Sequence, residues 1–161
     1  RIFRTGYEDM YIYVAADHKG YGLKQMVLDY LKKAGYTTED VGSEHFDPED
    51  DFPIIAARAI HKLQASQHED PKAILICGSG QGMVMAANRF KGIRAGLGYS
   101  LEAAKSIRND EDSNVLALPA DLLQGDDRQK ANVIIEAWLN TPFANAARFI
   151  RRNKELDNIA N

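Results

Sequence analysis

Apolar positions along the chain fall into short runs of strand length, separated by longer stretches of helical period. Tyr11-Ile12-Tyr13-Val14-Ala15-Ala16 predicts a first strand. After Asp17-His18-Lys19-Gly20, residues 21–34 place Leu23, Met26, Val27, Tyr30 and Leu31 on one helical face, with Gly35 positioned to cap it. Residues 37–41 predict a short second strand, and the acidic segment 43–51, which holds Pro48, reads as a loop. A second helix is expected over 53–67, with Pro53 in its first turn and Ile54, Ile55, Ala57, Ile60 and Leu63 as its apolar set. Ile74-Leu75-Ile76-Cys77 is apolar throughout, as suits a strand buried on both faces of a parallel sheet. A helix to about Phe90 follows, then a strand at 93–97, a helix at 101–108 and a fifth strand at 114–118. Residues 121–139 read as mostly helical, with Ile134, Ile135 and Trp138 on the apolar side. A last helix, about 144–156, is rich in arginine and weakly apolar.

Five β–α units in strict alternation predict an α/β fold, a parallel sheet with helices on both faces. Residues 1–9 form a polar leader expected to lie outside that fold, and residues 10–140 form one domain. Residues 141–161 carry too few apolar positions for a core element, so their helix is expected to pack on a partner subunit.

The organising stretch runs from Ile74 through Cys77-Gly78-Ser79-Gly80-Gln81-Gly82 to Asn88. A strand, a glycine-rich turn and a helix start together make a cup of backbone N–H groups that stabilises an anion. Cys77, the only cysteine, stands at its lip, where ligands of open α/β sheets bind. By itself, a cysteine ending a buried strand is a small inert hydrophobe, so its neighbours decide its meaning. The nucleotide readings fail on particular residues. The loop follows the third strand rather than the first, with the wrong spacing for a dinucleotide fingerprint, and it ends Gly82-Met83 rather than Gly-Lys-Ser/Thr. A cysteine phosphatase loop would carry arginine where Met83 stands, and a response regulator would carry aspartate in place of Cys77. A net charge of −3 gives no sign of a nucleic-acid or membrane-surface protein. With a single cysteine no internal disulfide forms, so a reducing cytoplasm is the expected compartment. His61 and His68, seven residues apart, bring no further ligand with them for a metal.

Four blocks, taken together and in order, resemble the type B ribose-5-phosphate isomerases and the related galactose-6-phosphate isomerase subunits. They are Ala16-Asp17-His18-Lys19-Gly20, Asp51-Phe52-Pro53, the run from Ile74 through Ala86-Ala87-Asn88-Arg89 to Gly92-Ile93-Arg94-Ala95, and Asp112-Ser113-Asn114-Val115-Leu116-Ala117-Leu118. The resemblance covers roughly residues 10–155 and implies a Rossmann-like three-layer αβα sandwich, with a five-stranded parallel sheet and an extra C-terminal helix. It implies a homodimer or tetramer whose active sites are shared between subunits. The reaction would be aldose–ketose isomerisation of a phosphosugar through an enediolate, ribose 5-phosphate by default, with no cofactor and no metal.

The same resemblance makes Cys77 the base, a thiolate being stabilised beside a helix end, and gives Ser79 a role in relaying protons among substrate oxygens. The amides of Gly78, Gly80, Gln81 and Gly82 would line the anion hole, with Asp17 nearby. His18, Arg148 and Arg152 would bind the phosphate. The two arginines lie four apart on one helix face, which in the family belongs to the partner subunit. Relatives lacking the loop cysteine use a glutamate where this chain has Met83, so Cys77 is the base candidate that remains. The chain departs from the pattern where the family has His-Asn-Asp and uses the histidine to open the sugar ring. Asp110-Glu111-Asp112 stand there, and Phe52 replaces a frequent tyrosine. Asp110 is therefore a candidate catalytic group and Glu111 a candidate substrate contact, for an altered substrate such as a tetrose or tetrulose 4-phosphate. A phosphosugar-binding subunit without catalysis is the alternative of another class.

Overall fold

The structure, a computed structural model, describes residues 10–160, and the leader expected at 1–9 lies outside the described residues. Five strands, β1 (Tyr11–Ala16), β2 (Thr37–Asp40), β3 (Lys72–Cys77), β4 (Ala95–Leu97) and β5 (Val115–Pro119), pair in the order β2-β1-β3-β5-β4. Every neighbouring pair is parallel. Helices α1 (Tyr21–Lys33), α2 (Phe52–Ala65), α3 (Gln81–Ala87) and α4 (Leu101–Glu111) connect them, and α5 (Lys130–Asn140) and α6 (Ala147–Asp157) follow β5. This is the Rossmann-like αβα arrangement with five parallel strands and an added C-terminal helix.

Alternation within the strands divides the apolar residues into two cores. In β3 every residue is buried, with Ile74 and Ile76 facing one side and Ala73, Leu75 and Cys77 the other. The first side packs beneath Leu23, Val27 and Leu31 of α1 and Ile134, Ile135 and Trp138 of α5. The second packs beneath Ile55, Ala59, Ile60 and Leu63 of α2 and Met83 and Ala87 of α3. Trp138 is fully buried, and its indole Nε1 donates to Ser113 Oγ at 2.7 Å. The period of two therefore delivers Cys77 to the α2–α3 side, at the carboxyl edge of the sheet.

Several details differ from the expectations, each for a local reason. Ile54, expected in the apolar set of α2, is 63% exposed, and Ala56 and Ala59 take the buried side with Ile55 and Ile60. Residues 121–139 begin with two 3-10 turns, Ala120–Leu122 and Gly125–Gln129, with Gly125 left-handed at their junction (φ +55°). Helix α4 runs on to Glu111 and is closed by Asp112 at φ +48°, whose carboxylate accepts from Arg108 Nη1 at 2.8 Å. Lys24 on α1 is fully buried and donates to Asp40 Oδ1 at 3.1 Å and to the carbonyl of Ser43 at 2.9 Å.

Helix α6 sits on its own chain. Phe149 and Asn153 are its buried residues, Asn153 Nδ2 donates to the carbonyl of Asp110 at 3.2 Å, and both oxygens of Asp157 accept from Arg94 Nη1 at 2.9 Å. The outward face keeps Arg148, Ile150, Arg151 and Arg152 exposed. Among the described residues no helix is long and apolar enough to cross a membrane.

Candidate active site

In the order β2-β1-β3-β5-β4 the chain leaves the sheet in opposite directions after β1 and β3, which opens a crevice between their carboxyl ends. The loop after β1 is tied to β3 by the Asp17 amide, which donates to the carbonyl of Ile76 at 3.1 Å. Asp17 Oδ1 accepts from the amides of Lys19 at 3.0 Å and Gly20 at 3.3 Å, so this carboxylate shapes the turn. Gly20 is obligatory there, because a Cβ would meet Ile76 Cγ2 at 2.6 Å and the Ile76 carbonyl oxygen at 2.7 Å. Burial pushes the Asp17 carboxyl above the usual carboxylate range, against the pull of those amides and of His18.

Cys77 ends β3, buried and paired with Pro119 of β5. The carbonyl of Gly78 accepts from the Asp121 amide at 2.9 Å, and a Cβ on Gly78 would meet Lys19 Cδ at 2.8 Å and Asp121 Oδ2 at 2.9 Å. Ser79 is exposed, and its Oγ accepts from the Gln81 amide at 3.3 Å. Gly80 caps α3 in the left-handed region at φ +75°. Gly82 lies under the ring of Phe52, whose nearest atoms would be 2.8 Å from a Cβ. The missing side chains of Gly20, Gly78 and Gly82 are what let three loops and the start of α2 close around Cys77.

His18 does not bond within its own turn. Its amide donates to Asp50 Oδ1 at 3.0 Å, and its ring Nδ1 lies 2.7 Å from the same oxygen. The hydrogen bond to Asp50 holds the imidazole pKa above its ordinary value, with further support from Asp17 and opposition from partial burial and Lys19. Asp17, His18 and Asp50 form the one group among the described residues close enough together to hold a metal ion. The Asp17 and Asp50 oxygens named above are already engaged as hydrogen-bond acceptors. His61 and His68 do not converge: one stands edge-on to Phe90 and the other stacks on Tyr11.

The structure thus brings Asp17, His18, Cys77, Ser79 and the glycine-loop residues Gly78, Gly80, Gln81 and Gly82 to one edge of the sheet. It places Asp110, Glu111, Arg148 and Arg152 elsewhere. Helix α4 returns the chain to the opposite edge, where Asn114, next to its end, donates to the carbonyl of Arg94 just before β4. The sheet alone separates the two edges by about 13 Å, the length of β3 from Ala73 to Cys77. There Asp110 Oδ1 accepts from Asn109 Nδ2 at 2.7 Å, and the Glu111 carboxyl is pushed up by burial and by Asp110. Arg148 stacks over the Phe149 ring at 4.4 Å, and Arg152 is exposed. Asp50 and Asp121 were not foreseen. Asp50 lies in a loop and Asp121 in the short 3-10 turn Ala120–Leu122, neither with any periodicity, and the one hint for Asp50 is its place beside Asp51-Phe52-Pro53.

Comparison with known proteins bears on the family and the fold. Residues 12–156 match the family described as Ribose/Galactose Isomerase. A probable ribose-5-phosphate isomerase B of Mycoplasma genitalium is 32% identical over 148 residues, 92% of each chain. The crystal structure of ribose-5-phosphate isomerase B from that organism, with bound ribulose-5-phosphate, superposes with a TM-score of 0.85 at 31% identity, covering 93% of this chain and 95% of that one. A 4-deoxy-4-sulfo-D-erythrose isomerase from a Clostridium species is 36% identical over 116 residues, 72% of each chain. Matched over nearly its whole described length, with the Asp-His pair and the cysteine–glycine loop in one crevice, the chain belongs to the ribose/galactose isomerase family.

Proposed function

We propose that this protein, a sugar-phosphate isomerase by family, interconverts ribose 5-phosphate and ribulose 5-phosphate through an enediolate, with Cys77 as the base. The observation that carries the reading is the position of Cys77, at the end of β3 where the loops after β1, β3 and β5 meet. A base there takes the proton next to the carbonyl, and the amides of the glycine loop meet the charge that develops on oxygen. Ser79 relays protons among the substrate oxygens, Asp17 holds the adjoining turn, and His18 meets the phosphate.

The remaining residues enter from a second copy of the chain. Arg148 and Arg152 would hold the phosphate, and Asp110 and Glu111 would face the sugar. Their place at the opposite edge supports a site made by two subunits, since one chain cannot bring them to Cys77. Exposed Ile54, Met85 and Tyr99 give the cup surroundings an apolar character that suits cover by a partner. Cys77→Ser should lower turnover by about 10²–10⁴-fold while fold and phosphosugar binding persist. Near-normal turnover in that variant would overturn the assignment of the base. Mixing it with an inactive Arg148→Ala/Arg152→Ala chain should restore activity if the site is shared.

A four-carbon sugar anion is the second reading. Asp110 stands where the family resemblance puts a ring-opening histidine, and the Phe52 ring against Gly82 narrows the cup. A tetrose phosphorylated at O4 has no free hydroxyl with which to close a five-membered ring, so it needs no such group. The relative named for a sulfo-erythrose adds support.

A further inference from the structure

One carboxylate oxygen, Asp50 Oδ1, holds both the amide and the ring of His18, at 3.0 and 2.7 Å. The two residues are 32 positions apart, so the clamp exists only in the fold. The Asp50 side chain is 10% exposed and that of His18 30%, which leaves the ring one accessible side. Asp17 does a different job in the same cluster, since its Oδ1 is taken by the amides of Lys19 and Gly20. We propose that Asp50 is the positioning residue of His18: it pins the ring through Nδ1 and commits Nε2 to the anionic group of the substrate, as an N–H donor. This rests on the reading of His18 as an anion contact given above.

The chemistry follows from the inventory of donors. A carboxylate only accepts, so Nδ1 must carry the proton that joins the two. In the neutral ring Nε2 is then an acceptor, which repels a phosphate or sulfonate oxygen. In the imidazolium Nε2 donates, and the ligand gains a charge-assisted hydrogen bond. Three charged groups bear on that ring: Asp50 from the loop before α2, and Asp17 and Lys19 from its own loop. The two carboxylates favour the imidazolium, while Lys19 and partial burial oppose it. A raised pKa means the donor form is complete at acid pH and is lost as pH rises through the raised value, so anion binding weakens in that direction.

Asp50→Asn separates this role from a purely structural staple, because the amide oxygen still accepts from the His18 amide while the charge is gone. NMR titration of the His18 imidazole, without ligand, should show its pKa falling towards the ordinary value of about 6.5. Sulfate stays a dianion across this range, with no change of protonation, and serves as the anion probe. Its affinity at pH 7.5 should fall roughly three- to tenfold in the variant and converge with the parent at pH 5.5. With ribose 5-phosphate, KM should rise by a similar factor and kcat should change little. An unmoved His18 titration overturns the clamp itself, whether or not the protein is an isomerase. A moved titration with unchanged sulfate affinity and unchanged KM also overturns the proposal, by removing His18 from the anion.

Discussion

Alanine at three glycines separates two kinds of strain and predicts opposite signs. In α1, a Cβ on Gly22 would meet only Arg128 Nη2, at 3.7 Å, so Gly22→Ala should stabilise by about 0.5–1 kcal/mol through helix propensity. Gly35 lies at φ +92° with nothing within 4 Å, so alanine there carries backbone strain alone, roughly 1–2 kcal/mol. Gly80 lies at φ +75°, and its Cβ would overlap Leu97 Cδ1 and come within 3.2 Å of the backbone of Leu118 and Pro119. The leucine tip can move, but the β5 backbone cannot without breaking its register with β3. Overpacking adds about 1–3 kcal/mol to the strain, so Gly80→Ala should cost roughly 2–5 kcal/mol. That is a large share of the ~5–15 kcal/mol available to a domain. Urea unfolding followed by fluorescence of Trp138, the only tryptophan, reads all three variants at one fixed protein concentration. Equal losses for Gly80→Ala and Gly35→Ala would refute the close-approach argument, and a destabilised Gly22→Ala would refute the helix argument.

Two further outcomes are expected. Ser113→Ala strands the buried indole N–H of Trp138 and should lower unfolding free energy by about 1–3 kcal/mol, with kcat/KM unchanged in the surviving folded protein. If a four-carbon substrate is the native one, kcat/KM for erythrose 4-phosphate should exceed that for ribose 5-phosphate, and Asp110→His should shift the ratio towards the pentose. Family-like turnover of ribose 5-phosphate that Asp110→His leaves alone would end that reading.

The fold was legible because burial on both faces leaves its mark on composition. Ile74 to Cys77 is apolar without alternation, and a strand of that kind belongs in the middle of a parallel sheet, where β3 lies. The same logic misleads at the start of α2. Ile54 and Ile55 are adjacent and alike, and only the packing of Ala56 and Ala59 beneath the sheet leaves Ile54 outside. Lys24 was invisible for a related reason. A lysine within an amphipathic helix reads as solvent-facing, and its burial depends on Asp40 and Ser43, which arrive from the far end of β2.

The candidate site was legible only where its residues are contiguous in sequence. Cys77 through Gly82 and Asp17-His18 are local motifs, and their backbone geometry follows from glycines whose positions can be read directly. Asp50 reaches the same crevice from a loop 32 residues beyond His18, and Asp121 from a 3-10 turn about 40 residues beyond Gly78, and no period marks either. The polarity of a parallel sheet explains the rest. Each strand ends at the carboxyl edge and each helix carries the chain back, so residues just before a strand and residues just after one stand on opposite edges. Asp110 and Glu111 end α4 and precede β5, whereas Cys77 closes β3. The family resemblance groups them in one candidate site, and the topology puts them on two edges of the sheet. A second copy of the chain is the simplest means of joining those halves, and that is why the mixing of two inactive variants tests more of the mechanism than either variant alone.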